Sequence, residues 1–473
     1  MRLKTETRAR RAANCAWLVA AFTGAMAVSL SAVGQQKSGP GFTNDDSLTF
    51  HGITLYGVID LGLQYETHGA PLSDFRPAAS GNIVQKNSRQ SVFGVTPSNE
   101  GQSRVGLQGD EPLQVGDWSA VFRVETFFNP QSGQLANSLK SITTNNGKTT
   151  ANSSVDYDGS SAGQAFQTAF AGLSSKTFGT ATFGRQLTIL TEGTVKYDPN
   201  QDSNAFGLIG ASGTYQGGGS TEDKRLDEML KYNAVFGDIV HVGALYKLNG
   251  SNGSSNTAVQ AVIGAQYAGA SVDAFYSKVN DAISAATLTA AQVATLPTLG
   301  YSASDSVAAT VSDNTTYALM GLYTWNALKF YSGYELIKFA NPTHPLTAGF
   351  VDIGGYILAV VNNKAYTEEK NIQMYWAGVR YSVLPNLDLV GAYYGSHQSA
   401  YGTTAATVGC QTKASATCSG SLQAFSFQAD YHFTKRFDGY AGAMYSGVRN
   451  GLANGYTYQT TNIDPTIGIR FKF

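Results

Sequence analysis

Apolar and polar side chains alternate one by one along several stretches of this chain, and that period limits its fold more than any other feature. In LQAFSFQADYHF one face carries Phe425, Phe427, Ala429, Tyr431 and Phe433, and the other Ser426, Gln428, Asp430 and His432. IVHVGALYKL opposes Val240, Val242, Ala244, Tyr246 and Leu248 to His241, Gly243 and Lys247. AVQAVIGAQY and ITLYGVIDLGLQY do the same, the second setting Ile53, Leu55, Ile59, Leu61 and Leu63 against Thr54, Asp60 and Gln64. Successive side chains of a strand point to opposite faces, so period two means strands rather than helices. Each strand then has a greasy face and a wet one, and the open question is which solvent each face meets.

The connections narrow the answer. Short ones fall at 110–117, 175–179, 235–238, 384–386 and 434–438, and long polar ones at 66–102, 129–164, 189–225, 281–313, 340–369 and 399–420. Stretches of middle length fall at 250–256 and 450–461. One short turn for each long loop gives about 16 strands of roughly 10 residues, the arithmetic of an outer-membrane barrel. Six long structureless loops would be unusual in a compact soluble domain. In lipid every backbone N–H and C=O needs an internal partner, so strands cross a membrane only as a closed cylinder. The expectation is an all-β, antiparallel transmembrane barrel whose apolar faces meet lipid and whose polar faces line the lumen. Tyr56, Tyr65, Tyr375, Tyr381 and Phe433 are expected to supply its interfacial aromatic girdles. A secreted propeller or sandwich also predicts alternation, but not the one-sided loops.

Both ends of the chain agree with this. Five Lys/Arg precede an apolar stretch from Ala12 to Val33 that ends in small residues, which reads as a secretory signal over 1–34 and a single barrel domain over 35–473. An N-terminal membrane anchor is the competing reading. Beyond that stretch no apolar run approaches the roughly 18 residues of a spanning helix. Residues 35–473 hold 27 Lys/Arg against 32 Asp/Glu, a mildly acidic balance that argues against a nucleic-acid partner. The last segment, TIGIRFKF, puts Phe473, Phe471, Ile469 and Ile467 on one face and Lys472, Arg470, Gly468 and Thr466 on the other.

ITLYGVIDLGLQY, SRVGLQGDEPL, AFAGLSSKTFGTATFGRQ and the final IGIRFKF together resemble the Gram-negative general porins of proteobacteria. That resemblance implies a trimeric, 16-stranded, water-filled barrel with short periplasmic turns, long extracellular loops and a third loop folded into the pore. It also implies that Phe473 belongs to a signal read by the outer-membrane assembly machinery.

No enzyme constellation stands out: the six His are scattered, and H-E-x-x-H does not occur. Neither a cofactor nor a metal site is expected. The informative residues are charges at strand level. Arg104 alternates with Val105 and Leu107, which puts it in the lumen, and Arg123 and Glu125 share one face. Lys231 opens the strand after the third long loop. Strict alternation places Arg185 with Phe183 toward lipid, where a cation costs roughly 2–4 kcal/mol at mid-bilayer. A bulge at Gly184 is therefore expected to turn it inward. By resemblance, Arg104 and Arg185 match the basic wall of a pore constriction, Lys231 falls where an Arg is common, and Glu125 matches an acidic lumen position. The acids of the third loop, Glu192, Asp198 and Asp202, would face that wall.

Cys410 and Cys418 remain once Cys15 leaves with the signal, and export favours their pairing over two free thiols or a metal site. The function expected is passive diffusion of ions and small hydrophilic solutes through a channel whose selectivity follows the constriction charges. A substrate-specific channel, or a plugged structural or adhesive barrel, stays open as an alternative.

Overall fold

A computed structural model of the chain describes residues 48–69, 83–84, 90–131, 133–135, 165–208, 224–248, 257–287, 294, 296–299, 307–345, 351–353, 356–358, 361–362, 368–402, 408–456 and 458–473. The expected signal at 1–34 lies outside these residues.

Sixteen barrel strands occur among the described residues, fifteen of them unbroken: β1 (Ile53–Gly69), β3 (Trp118–Asn129), β4 (Thr168–Ser175), β5 (Gly179–Leu187), β6 (Arg225–Phe236), β7 (Val240–Lys247), β8 (Ala258–Tyr267) and β9 (Ala270–Thr287). They continue with β10 (Val307–Trp325), β11 (Leu328–Ala340), β12 (Lys370–Leu384), β13 (Leu387–Gln398), β14 (Gly420–His432), β15 (Phe437–Asn450) and β16 (Thr461–Lys472). The second strand, β2, comes in two pieces, Gln90–Pro97 and Arg104–Pro112, and both pair with β1. Each strand pairs antiparallel with the next in sequence, and β16 returns to β1 in register from Val58↔Lys472 to Gln64↔Thr466. Phe473 extends this seam: its N–H donates to the Gly57 carbonyl at 3.1 Å, and the Gly57 N–H donates to its carbonyl at 2.9 Å. The sheet is a closed antiparallel cylinder.

Alternation carries through to burial. Phe425, Phe427 and Ile469 are 51%, 58% and 52% exposed on the outside, while Gln428 and Asp430 between them are buried inside. Tyr375, Tyr393, Phe425 and Tyr445 form a continuous outer row of rings, with centroids 4.7 to 6.5 Å apart. Tyr431, Phe433 and Phe437 form another beside the turn at 433–436. Tyr56 is no part of a girdle. It faces inward, 4% exposed, as its position between Leu55 and Gly57 requires.

Several boundaries differ from expectation. Residues 90–97 pair as strand although they fall within the loop expected at 66–102. β9 and β10 run on into both ends of the loop expected at 281–313, as far as Thr287 and from Val307. Two tight turns have weak sequence signals: Ala268-Gly269, with φ of +48° and +83°, and Asn326, with φ of +53°. Positive φ at both central residues suits a two-residue hairpin, but Ala is an unusual choice there. The lumen is also less polar than alternation suggests. Met229, Leu245, Phe275, Met320, Ile337, Met374 and Trp376 point inward and are buried in one apolar cluster with residues of the third long loop. Segments such as IQMYWAGV are apolar on both faces, so no clean period two reveals which side is which.

Cys410 and Cys418 are joined, with Cα atoms 4.9 Å apart, which closes a nine-residue segment of the loop after β13. Such a short closure is worth on the order of 2–3 kcal/mol through the unfolded state. We predict no alkylatable thiol in the unreduced, exported protein. Cys410→Ser with Cys418→Ser should leave a heat-modifiable barrel but speed proteolysis between β13 and β14. Unchanged cleavage rates would show that the bond does not order this loop.

Candidate functional site

Thr188 follows β5 and caps a short helix, α1 (Ile189–Tyr197), by accepting the Thr191 N–H at 3.2 Å. Ile189, Leu190 and Tyr197 are buried against inward-facing residues of β6–β13. The Gln260 side chain accepts from the Leu190 N–H at 3.1 Å, the Tyr197 hydroxyl meets Ser271 at 2.7 Å, and the Trp376 indole donates to the Tyr197 carbonyl at 2.8 Å. Gly193 is the close approach: a side chain there would run into the Phe275 ring.

Beyond the helix the loop continues around the inner wall. Arg380 donates to the Pro199 carbonyl at 3.3 Å, and the Asn200 amide donates to Tyr394 at 2.8 Å and to the Phe206 carbonyl at 2.9 Å. Phe206 meets the Tyr440 ring edge-on. Residues 203–205 then bond the segment that interrupts β2: the Ser203 hydroxyl and the Ala205 N–H both donate to the Asn99 carbonyl, and the Asn204 amide donates to that of Ser98. The third long loop thus folds inward as expected, fixed to β8–β15 and to the insert in β2.

β2, β3 and β6 carry the charged wall. Glu125 is its centre, 6% exposed. The Tyr56 hydroxyl donates to it at 3.0 Å and that of Thr168 at 3.3 Å, while Arg104 lies 3.4 Å away and Arg225 3.8 Å. Arg123 donates to Gln108 at 2.7 Å and stands over the Tyr56 ring. Two guanidiniums therefore flank one carboxylate, and a third stands over the tyrosine that donates to it. Arg225, the member missed in the sequence, lies an even number of residues before Lys231. The extra residue of β6 falls between the two, so counting in twos does not carry across to Arg225, which stands at the end of the loop expected over 189–225.

The other expected residues sit differently. Lys231 is 8% exposed and pairs directly with Glu192 of α1 at 2.6 Å. Asp202 pairs with Lys224 at 2.8 Å. These contacts tie the loop to its neighbours instead of opposing charges across water. Asp198 does not face the lumen. It is fully buried and accepts the Tyr394 hydroxyl at 2.5 Å and the Asp202 N–H at 2.7 Å, because the chain turns at the end of α1 and needs an acceptor there.

Arg185 corrects the expected bulge. Gly184 has φ +122° and pairs with Met229, but Gln186 pairs with Leu226, so the extra residue lies on β6, where Asp227 and Glu228 together face Arg185. On the β4 side the register is unbroken. Arg185 keeps the row of Ala169 and Val124, opposite that of Thr168 and Glu125. Its charge is met by Asp227 at 2.8 Å and by the Arg225 carbonyl at 3.2 Å. The bulge supplies a counter-ion and does not turn the side chain.

Residues 16–345 match the family model described as Gram-negative porin. Among solved structures, the anion-selective porin from Comamonas acidovorans superposes with a TM-score of 0.57 at 15% identity, over 89% of this chain and 99% of that one. The outer-membrane expressed OmpT of Vibrio cholerae gives 0.55 at 14%, over 90% and 100%. Its in-vitro folded trimer form gives 0.55 at 14%, over 89% and 99%. Identities this low establish a shared fold. No curated protein matches the chain in sequence.

Burial pushes the Asp198 carboxyl up to about 6, against about 3.9 for a free one. A raised acid binds its proton more tightly in the seated loop, so seating strengthens as pH falls from about 6 towards 4 and is weakest above that window. We predict that open-channel noise from loop motion falls when pH drops from 7 to 4, and that Asp198→Asn removes this dependence. Equal pH dependence in both proteins would rule out Asp198 as its source.

Proposed function

We propose how this chain, which belongs to the Gram-negative porin family and is an outer-membrane channel for small solutes, discriminates among them. The observation that carries the proposal is the cluster of Arg104, Arg123 and Arg225 around the single carboxylate of Glu125 on one lumen wall. That wall faces water with an excess of fixed cation, so passing solutes feel a one-sided field. Such a field favours hydrophilic solutes over apolar ones and biases passage toward anions. Screening acts over about 8 Å at physiological salt, so wall charges outweigh the mildly acidic total of the chain. Lys231, Glu192, Asp202 and Asp198 act one step back, by fixing the loop that narrows the pore. Arg185 is assigned a structural part.

A substrate-specific channel is the second reading. It is favoured by the apolar cluster inside the barrel, which leaves less open cross-section than a fully polar lumen would. Single-channel conductance in salt, followed by candidate solutes, separates it from general diffusion and from a plugged barrel.

We also propose a homotrimer. β4 and β5 have only 8 and 9 residues. At about 3.3 Å rise and about 45° tilt they span roughly 19–21 Å, short of the apolar band of about 25 Å. Contact with neighbouring copies would spare that short wall from lipid. Export directed by residues 1–34, and recognition of Phe473 by the assembly machinery, complete the proposal.

Two unit charges about 4 Å apart interact by about 1 kcal/mol in bulk water and about 4 kcal/mol at an effective dielectric of 20. One reversed wall charge should therefore change the anion-to-cation permeability ratio roughly fivefold or more. Arg104→Glu and Arg225→Glu are expected to move the zero-current potential in a salt gradient towards cation preference. Arg185→Glu and, at the irregularity in β9 where Asp281 is buried beside His344, Asp281→Lys should change it little. Equal shifts from all four would mean that overall charge governs selectivity.

A further inference from the structure

A second charged group lies in the lumen at the end of β14, beside the turn at 433–436. Asp430 and His432 point inward from β14, and Asp438 stands directly across from His432 on β15. One ligand atom from each of these three side chains lies within 4.8 Å of the other two. His432 Nδ1 is already 2.8 Å from Asp438 Oδ1.

The outer atoms of the same side chains are taken. Arg470 lies 3.4 Å from Asp430 Oδ2 and 2.9 Å from Asp438 Oδ2, and Lys472 lies 2.5 Å from Asp438 Oδ2. His432 Nε2 is 3.6 Å from Asp388 Oδ2, and Asp388 is in turn held by Arg380 at 3.1 Å and by the Ser382 hydroxyl at 2.7 Å. Asp430 Oδ1 has no hydrogen-bond partner among the described residues, although its side chain is only 3% exposed. A buried carboxylate oxygen left without a donor is costly.

We propose that Asp430, His432 and Asp438 bind a divalent transition-metal ion of the Zn²⁺ type. The inner atoms would be Asp430 Oδ1, His432 Nδ1 and Asp438 Oδ1. Ligand distances of about 2.0–2.2 Å require the three to close by small side-chain rotations. One imidazole nitrogen with two carboxylates favours a borderline ion over Ca²⁺ or Mg²⁺, which prefer oxygen alone. Metal-bound histidines commonly give their other ring N–H to a carboxylate, and ligating carboxylates are themselves hydrogen-bonded. Asp388 and Arg470 stand where those parts are needed. The competing description, an imidazolium bridging Asp388 and Asp438, leaves Asp430 Oδ1 unsatisfied. A bound dication would add positive charge to this mouth and push passage further toward anions.

The test uses the folded barrel in detergent, stripped of metal with a chelator. Zn²⁺ is titrated calorimetrically, and Co²⁺ is followed by its visible absorption. One saturable site per chain is expected. Asp430→Asn and His432→Gln should weaken it at least tenfold, and His344→Gln should leave it unchanged. If either ligand variant fails to assemble, as judged by heat-modifiable migration, Asp388→Asn serves instead. It leaves the three proposed ligands in place, removes the carboxylate beside Nε2, and should cost about tenfold or more in affinity. Zn²⁺ should also shift the zero-current potential of the wild-type channel towards anion preference. Absence of saturable binding, or binding indifferent to Asp430, His432 and Asp388, would overturn the proposal.

Discussion

The backbone pairing of β16 with β1 is the contact on which the rest of this structure depends. An open sheet in lipid would leave two rows of unpaired N–H and C=O groups, each costing several kcal/mol. Seven register pairs from Val58↔Lys472 to Gln64↔Thr466, extended by Gly57 and Phe473, remove both edges at once. The Phe473 ring lies over Gly57, where a side chain would collide with it, so the seam is packed as well as bonded. Only after closure does the chain have an inside and an outside.

Closure has a consequence for the lumen. Inward-facing side chains on sixteen strands cannot all meet water and still leave a narrow pore, and here much of the inner surface is apolar. The third long loop covers it. Apolar contacts of α1 seat the loop, and a run of directional bonds from Gln260 to Asn99 fixes its course. Its charged residues are largely used in that seating, through Lys231–Glu192 and Lys224–Asp202. The wall of β2, β3 and β6 keeps its guanidiniums around Glu125, and so carries the charge available to a solute. Exposed ion pairs are worth little in stability, but a fixed excess of one sign in a confined aqueous path affects every ion that passes.

Interruptions of regular pairing mark the places where the lumen is shaped. The insert between the two halves of β2 provides the carbonyls that hold the loop tip, and Asp60 accepts the N–H groups of Glu100 and Gly101 to keep that insert folded. The extra residue in β6 brings Asp227 to Arg185. Each departs from the ladder by a few residues and re-aims a group that a continuous strand would send elsewhere.

Period two and the lengths of the connections were enough to determine a closed antiparallel barrel, its outward faces and the inward direction of Arg104, Arg123 and Glu125. They succeed because side-chain direction in a strand is set locally, by parity, and because lipid forbids an open edge. Parity also contained the inward place of Tyr56, next to outward Leu55, but not that of Arg225, which lies beyond the extra residue of β6. What parity cannot hold is anything that depends on residues far apart in the chain. That Asp198 is buried under Tyr394, that Lys231 is spent on Glu192, and that Arg185 meets a bulged Asp227 follow from how a loop and its neighbouring strands pack. These placements were decided by the tertiary structure, because a carboxylate's role is fixed by its partners and its access to water, and neither is written at a single position in the sequence.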